Sequence, residues 1–339
     1  MFFERLDLAS VDWAYLDSFS DRTVFQTRPW LNFIAATQRA ELVVAALREG
    51  RETLGYFTGG VVRKFGLPML GSPFPGWTSS YLGFNLLPGV SREAALRATA
   101  DFAFRDLNCV HLELMDRRLT EAEARNAGFD LGCLRGYEVD LSRSEEKVFA
   151  NLKDDCRWRI RKAAKSGVVV EEASDAAFAD EYYEQLIEVF AKRRLTPTYD
   201  RDRVRALIEH AHPAGLLLLL RARDAEGRSI ATGIFPAMND TAYYWGGASW
   251  RASQSLSPNE AIQWYAMRYW KARGMTRYDM GGGGNYKAKY GGDAIAVPWA
   301  RKSKYAFLAR QRDRAKKFFW FTKRLAGRIS AASNSERRR

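Results

Sequence analysis

The stretch Tyr278-Asp-Met-Gly-Gly-Gly-Gly-Asn-Tyr286-Lys287-Ala-Lys289-Tyr290-Gly-Gly292 decides how the rest of the chain is read. A strand-like opening runs into four consecutive glycines and then onto an aromatic-lysine pair. Glycine permits positive φ and close backbone approach at an entropic cost, so four in a row point to a backbone loop beside a ligand. Lys287 and Lys289 set two mobile cations next to that backbone. The competing reading is a flexible surface loop with solvated lysines. Upstream lie a strand-like run, Thr241-Ala-Tyr-Tyr-Trp-Gly-Gly-Ala248, and a helix-like run over 258–273. Tyr243, Tyr244 and Trp245 alternate faces on such a strand, so Tyr244 points opposite to its neighbours.

The chain has 339 residues, 47% hydrophobic and 13% aromatic, enough for large cores and two domains. No run approaches the roughly 20 apolar residues of a membrane span. The start, Met-Phe-Phe-Glu-Arg-Leu-Asp, lacks the pattern of a signal peptide. Three cysteines, Cys109, Cys133 and Cys156, share no CxxC spacing, which fits a reduced cytoplasmic chain without structural zinc. The net charge of +13 is concentrated: residues 301–339 hold 14 Lys/Arg against 2 Asp/Glu, and the rest is 39 against 38. A nearly neutral body argues against a DNA-binding groove through the core. In the tail, Phe307, Phe318-Phe-Trp-Phe321 and Leu325 lie among the cations, a composition suited to an anionic membrane surface. A cytoplasmic protein, peripheral on the inner face of the membrane, is the localisation expected.

Taken in order, 41–47 and 53–62 read as strands, followed by a Pro/Gly-rich loop, a strand over 79–84, a helix over 91–107 and a strand over 109–115. The second half repeats this plan with strands at 216–223, 229–237 and 242–248, the helix at 258–273 and a strand at 276–280. Repeated order suggests an internal duplication. Between the halves, Ser142-Arg-Ser-Glu145 offers a capping box for one helix reaching Lys165. Lys153, Arg157, Arg161 and Lys165 recur at i+4 on it, a basic stripe for an anionic ligand or a merely solvated face. Ser257-Pro-Asn-Glu260 predicts a second capping box, with Pro at the first helical position.

The order YYWGGAS strand, apolar helix, strand ending in Asp-x-Gly-Gly, then aromatic-Lys-x-x-Tyr-Gly-Gly resembles the Fem-type (FemAB-like) transferases and their BioF-like relatives. Fem-type proteins are tandem GNAT proteins that build peptidoglycan interpeptide bridges. Phe25-Gln-Thr-x-x-Trp30 and Leu152-Lys-x-x-x-Arg-x-x-Ile-Arg-Lys-Ala163 extend the resemblance. It implies an α/β fold of two GNAT-like domains, 1–140 and 141–300, with 301–339 a basic helix and tail docked on the first. It implies Lys287 as the catalytic residue, with Tyr286 and Lys289 at the substrate. Tyr199 matches a substrate-binding Tyr; Tyr81, Tyr244, Arg157 and Arg161 complete the expected set. Family members that take a nucleotide-linked precursor carry a phosphate-binding Lys where Ile34 stands here, which argues against a UDP-linked substrate.

The chemistry expected is amide formation, which needs a neutral amine, an activated acyl donor and a group that stabilises the oxyanion. Lys287 beside glycine backbone is suited to the last role, and Asp279 to holding the glycine loop. The glycine-bearing pyrophosphate loop of ordinary GNAT enzymes is replaced by Arg251-Ala-Ser-Gln-Ser-Leu-Ser257. That favours aminoacyl-tRNA or an acyl carrier over acyl-CoA as donor. No metal-ligand set and no bound cofactor are expected. The partners are the acyl donor and an amine-bearing envelope precursor. The alternative is a catalytically silent GNAT-fold protein that recruits envelope-polysaccharide machinery.

Overall fold

A computed structural model describes residues 1–307 apart from Arg193. In its first half the strands are β1 (Phe2–Arg5), β2 (Glu41–Glu49), β3 (Glu52–Lys64), β4 (Leu67–Ser72), β5 (Gly83–Leu86), β6 (His111–Met115) and β7 (Asp130–Asp140). The second half contributes β8 (Val169–Glu172), β9 (Leu217–Arg223), β10 (Ser229–Met238), β11 (Thr241–Tyr243), β12 (Gly246–Ser249), β13 (Arg277–Gly282) and β14 (Asp293–Ser303). They form one mixed sheet in the order β1-β2-β3-β4-β6-β14-β7-β13-β11-β10-β9-β8, with β5 on β3 and β12 on β10.

That order reads alike from either end. Each half runs through three antiparallel steps and one parallel step (β4 to β6, β11 to β13) before an antiparallel step into the centre. At the centre the two last strands are exchanged: β14 lies between β6 and β7, and β7 lies between β14 and β13. The duplicated element order is therefore present in the strand pairing. The exchange also joins the halves by main-chain hydrogen bonds rather than by side-chain contact alone.

Side chains alternate across the sheet, so each strand feeds two cores. On β2, Val43, Ala45 and Leu47 face the core under the helix Arg92–Asp101, while Val44 faces a second core with Trp30, Phe33 and Phe178. The helix Pro258–Ala272 covers the second half with Ile262, Ala266, Met267 and Trp270 buried. Leu217 to Leu220 are buried on both faces, as the apolar run predicts.

Four local expectations are corrected. The helix after Ser142 is two helices, Glu145–Asn151 and Asp154–Lys165, and the cap is Ser144, whose side chain accepts from the Lys147 N–H. The chain breaks at Leu152, which is extended, and the Arg157 guanidinium donates to the freed carbonyl oxygens of Ala150 and Leu152. Ser257 makes no capping box: it adopts φ 60°, and its hydroxyl has no cap bond. The strand expected at 79–84 begins only at Gly83, and the strand expected over 242–248 bends at Tyr244-Trp245 into β11 and β12. A period of two cannot reveal a bend that leaves both pieces extended.

Candidate active site

The glycine run turns because its backbone has to. Gly281, Gly283 and Gly284 have φ of 66°, 86° and 58°, a region costly for side chains with a Cβ. At Gly282 a Cβ would come within 2.5 Å of Leu134 Cδ1 on β7. The following 3-10 turn, Asn285–Tyr290, carries Lys287 back beneath the end of β13. There Nζ donates to the carbonyl oxygens of Met280 (2.5 Å) and Gly282 (2.8 Å). Lys287 is only 7% exposed and is not the mobile cation expected. An ammonium has three N–H donors, so two fixed bonds leave one for the cleft. Burial lowers its pKa from 10.5 to about 8, and the charge of Asp279 opposes that shift.

The cleft is a cavity of about 410 Å³ at the seam between the halves. Phe25, Ser80 and Met115 of the first half face Trp245, Asp279 and Lys287 of the second. Asp279 is held from three directions. Its Oδ1 accepts from the Gly281 N–H (2.6 Å), and its Oδ2 accepts from the Tyr81 hydroxyl (2.9 Å) and Arg117 (3.0 Å). Arg117 also pairs with Glu138 on β7. First-half groups thereby brace the turn that positions Lys287. A second cavity, about 240 Å³, lies beside β12, which pairs with β10 alone, and the start of the helix Pro258–Ala272. It is lined by Ser249, Asn259, Glu260, Tyr286 and Lys289, and Tyr244 lines both cavities. Burial keeps the Tyr244 hydroxyl well above its usual range, so a neutral phenol stands 5.3 Å (ring centroid) from the Lys287 cation.

Residues 150–290 match the family model of the acetyltransferase (GNAT) domain. This segment is a GNAT N-acyltransferase domain. No curated protein matches the sequence. Among solved structures the chain is similar to FemX, with TM-score 0.67 and 14% identity over 88% of this chain and 97% of that one. It is also similar to L-PGS from Bacillus licheniformis (TM-score 0.55, 11% identity, 91% and 95% covered). A third similar structure is a tandem GNAT protein from the clavulanic acid biosynthesis pathway (TM-score 0.55, 12% identity, 88% and 96% covered). At such identities the likeness is one of fold, and that fold is the tandem GNAT architecture expected from the Fem-type motifs.

Around the two cavities the expected site residues separate into groups. Lys287 and Tyr244 meet at the seam cleft, and Tyr286, 54% exposed, stands at the second cavity. Lys289 lines that cavity too, but its ammonium is paired with Glu260 at 2.5 Å. Tyr199 lies behind the wall: its hydroxyl meets that of Tyr182 at 2.9 Å and its ring packs on Trp245. Burial pushes the Tyr199 hydroxyl up to about 12. Tyr81 is also behind the wall, 1% exposed, acting through Asp279 rather than at the cavity surface. Arg157 is spent on the carbonyls of the helix break, and Arg161 lies over Phe149; neither lines either of these two cavities. Arg117 and Glu138 were missed by the sequence reading, since a single Arg in a turn and a Glu on a strand carry no spacing signal. Among the described residues no cluster suited to a metal ion occurs. The basic tail beyond Phe307, with the membrane role and the docked helix expected of it, lies outside the described residues.

Proposed function

We propose that the protein is an N-acyl or aminoacyl transferase that forms an amide on an amine of a cell-envelope glycan or peptidoglycan-type precursor. The observation that carries the reading is Lys287. Its ammonium is fixed by two main-chain carbonyls, is nearly buried, and borders the seam cleft with one N–H to spare. In the reaction the amine nitrogen bonds to the acyl carbon and the carbonyl oxygen takes up negative charge. Lys287 donates to that oxygen; collapse then breaks the acyl bond to the donor's oxygen or sulfur, which leaves with the amine's proton. A preorganised donor in a site that excludes water is worth more than the same group in solution.

The acceptor belongs in the seam cleft, and the Fem-type motifs together with the fold shared with FemX support an envelope amine there. Lys287 is the only basic side chain among the described residues lining it, and Ile34 is fully buried in the core. A nucleotide-linked precursor would leave its diphosphate without cations, so the acceptor's body near the amine is uncharged. The donor belongs in the second cavity. Glu260, in the first turn of the helix Pro258–Ala272, is ion-paired with Lys289, so the cation of this cavity is already spent and the helix N-terminus is occupied by a carboxylate rather than left open to a phosphate. That supports aminoacyl-tRNA or an acyl carrier over acyl-CoA held through its diphosphate.

The test is Lys287→Met under single-turnover conditions, with acceptor and donor identified by mass spectrometry of copurified ligands. Turnover should fall on the order of 10²–10³, with acceptor binding changed much less. Lys287→Arg should restore only part of it, since a planar fork cannot replace a point cation, and Lys289→Met should be milder. Full turnover in Lys287→Met would leave the loop as a binding element and remove the catalytic assignment.

A further inference from the structure

The helix Asp154–Lys165 presents a different face from the one its spacing suggested. Arg157 turns back to the broken helix end and to Asp154, and Arg159 turns toward Glu260 at 3.9 Å. What remains without an acidic partner is Trp158, Arg161, Lys162 and Lys165, spaced i, i+3, i+4 and i+7 and therefore on one stripe; Arg161 is exposed with its guanidinium over Phe149, and Lys162 is half-buried. Trp158 is 57% exposed, and the Lys162 ammonium lies 5.1 Å from its ring centroid. Among the described residues Arg161, Lys162 and Lys165 have no ion-pair partner. The two acids of the helix, Asp154 and Asp155, sit in its first turn, at the opposite end from these cations.

We infer that this stripe is a docking face for an anionic lipid bilayer. An exposed indole surrounded by cations fits the interface, where the ring enters the headgroup layer and the ammonium and guanidinium groups remain with the phosphates. Single-stranded nucleic acid is instead held in a basic groove by several stacking rings. Here one ring stands on one helix face, and none of the four side chains lines either of the two cavities described above. The same chemistry recurs in the sequence after Phe307, where Phe318-Phe-Trp-Phe321 lies among lysines and arginines. The inference is independent of the chemistry in the cleft.

Each cation near an anionic leaflet is worth about 1 kcal/mol, so three together change partitioning on the order of 100-fold. The full chain is tested by cosedimentation with vesicles of phosphatidylcholine alone and with 30% (about one lipid in three) phosphatidylglycerol. The wild type should bind only the anionic vesicles, and Arg161→Gln/Lys162→Gln/Lys165→Gln should bind on the order of 100-fold more weakly, with unchanged circular dichroism. Trp158→Ala should weaken binding several-fold. Because the tail alone can attract vesicles, lysine acetylation is mapped in parallel: Lys162 and Lys165 should be shielded by anionic vesicles and not by neutral ones. Equal binding by the triple variant, or unshielded lysines, would assign binding to the tail and overturn the inference. So would a wild type that ignores the vesicles, or a triple variant that loses RNA binding while keeping vesicle binding.

Discussion

Lys287→Met should change how stability responds to pH, and the size of that change follows from burial. In the folded chain the Lys287 ammonium loses its proton near pH 8, against 10.5 for an exposed lysine. A group whose folded pKa is lowered destabilises the fold at low pH, because the unfolded chain binds the proton more tightly. Between about pH 8 and 10.5 the unfolded state carries more protons, so stability rises as pH rises. The full difference is about 3 kcal/mol, and between about pH 7 and pH 9.5 linkage gives about 2 kcal/mol. Methionine cannot titrate, so the variant lacks this slope while every other group is shared. The measurement is urea unfolding of both proteins, followed by tryptophan fluorescence, at those two pH values. Whatever their offset at neutral pH, caused by carbonyls of Met280 and Gly282 losing a partner, wild type minus variant should grow by about 2 kcal/mol in favour of the wild type. A gap that stays flat would mean that Lys287 titrates as an ordinary exposed lysine, and the preorganised donor would go with it. The same pKa implies that about nine in ten Lys287 side chains are charged near pH 7, so the donor is available where the reaction would run.

Asp279→Asn removes the charge that opposes the effect of burial on Lys287. In competitive labelling with acetic anhydride across pH, the midpoint for Lys287 should fall below its wild-type value, and an unmoved midpoint would sever the two residues electrostatically. Gly136→Ala probes the crossing of β7 and β13, where a Cβ would lie 2.5 Å from the Gly281 main-chain oxygen. A backbone atom cannot rotate away, so thermal unfolding should report a loss of roughly 1–3 kcal/mol; an unchanged melting temperature would mean the strands separate there at no cost.

The sequence by itself determined the duplicated plan of strands and helices, because hydrophobic period and turn chemistry are local, and the resemblance of its motifs to Fem-type proteins implied the fold class. The run Leu217 to Leu220 suits a buried strand, and four glycines before Tyr286-Lys287 mark a loop, but whether that loop is solvated or lies beside a ligand was left open by the sequence. The Fem-type resemblance named Lys287, whereas the face of the strand that carries Tyr244 into the same cavity was settled only by the structure. What the tertiary structure alone decided is which charges are spoken for. Arg157, Arg161 and Lys165 are alike in the helical period, yet only Arg157 caps the break at Leu152, because that break depends on where the next helix packs. Lys289 and Lys287 stand two residues apart with the same side chain. One meets Glu260 from a helix 29 positions away, and the other bends under its own strand. Tyr81 and Arg117 reach Asp279, and Arg117 also pairs with Glu138, at the centre of the sheet where β7 and β14 change places. Such partners are fixed by long-range packing, and the period of a single strand or helix contains no term for the residue that will lie across from it.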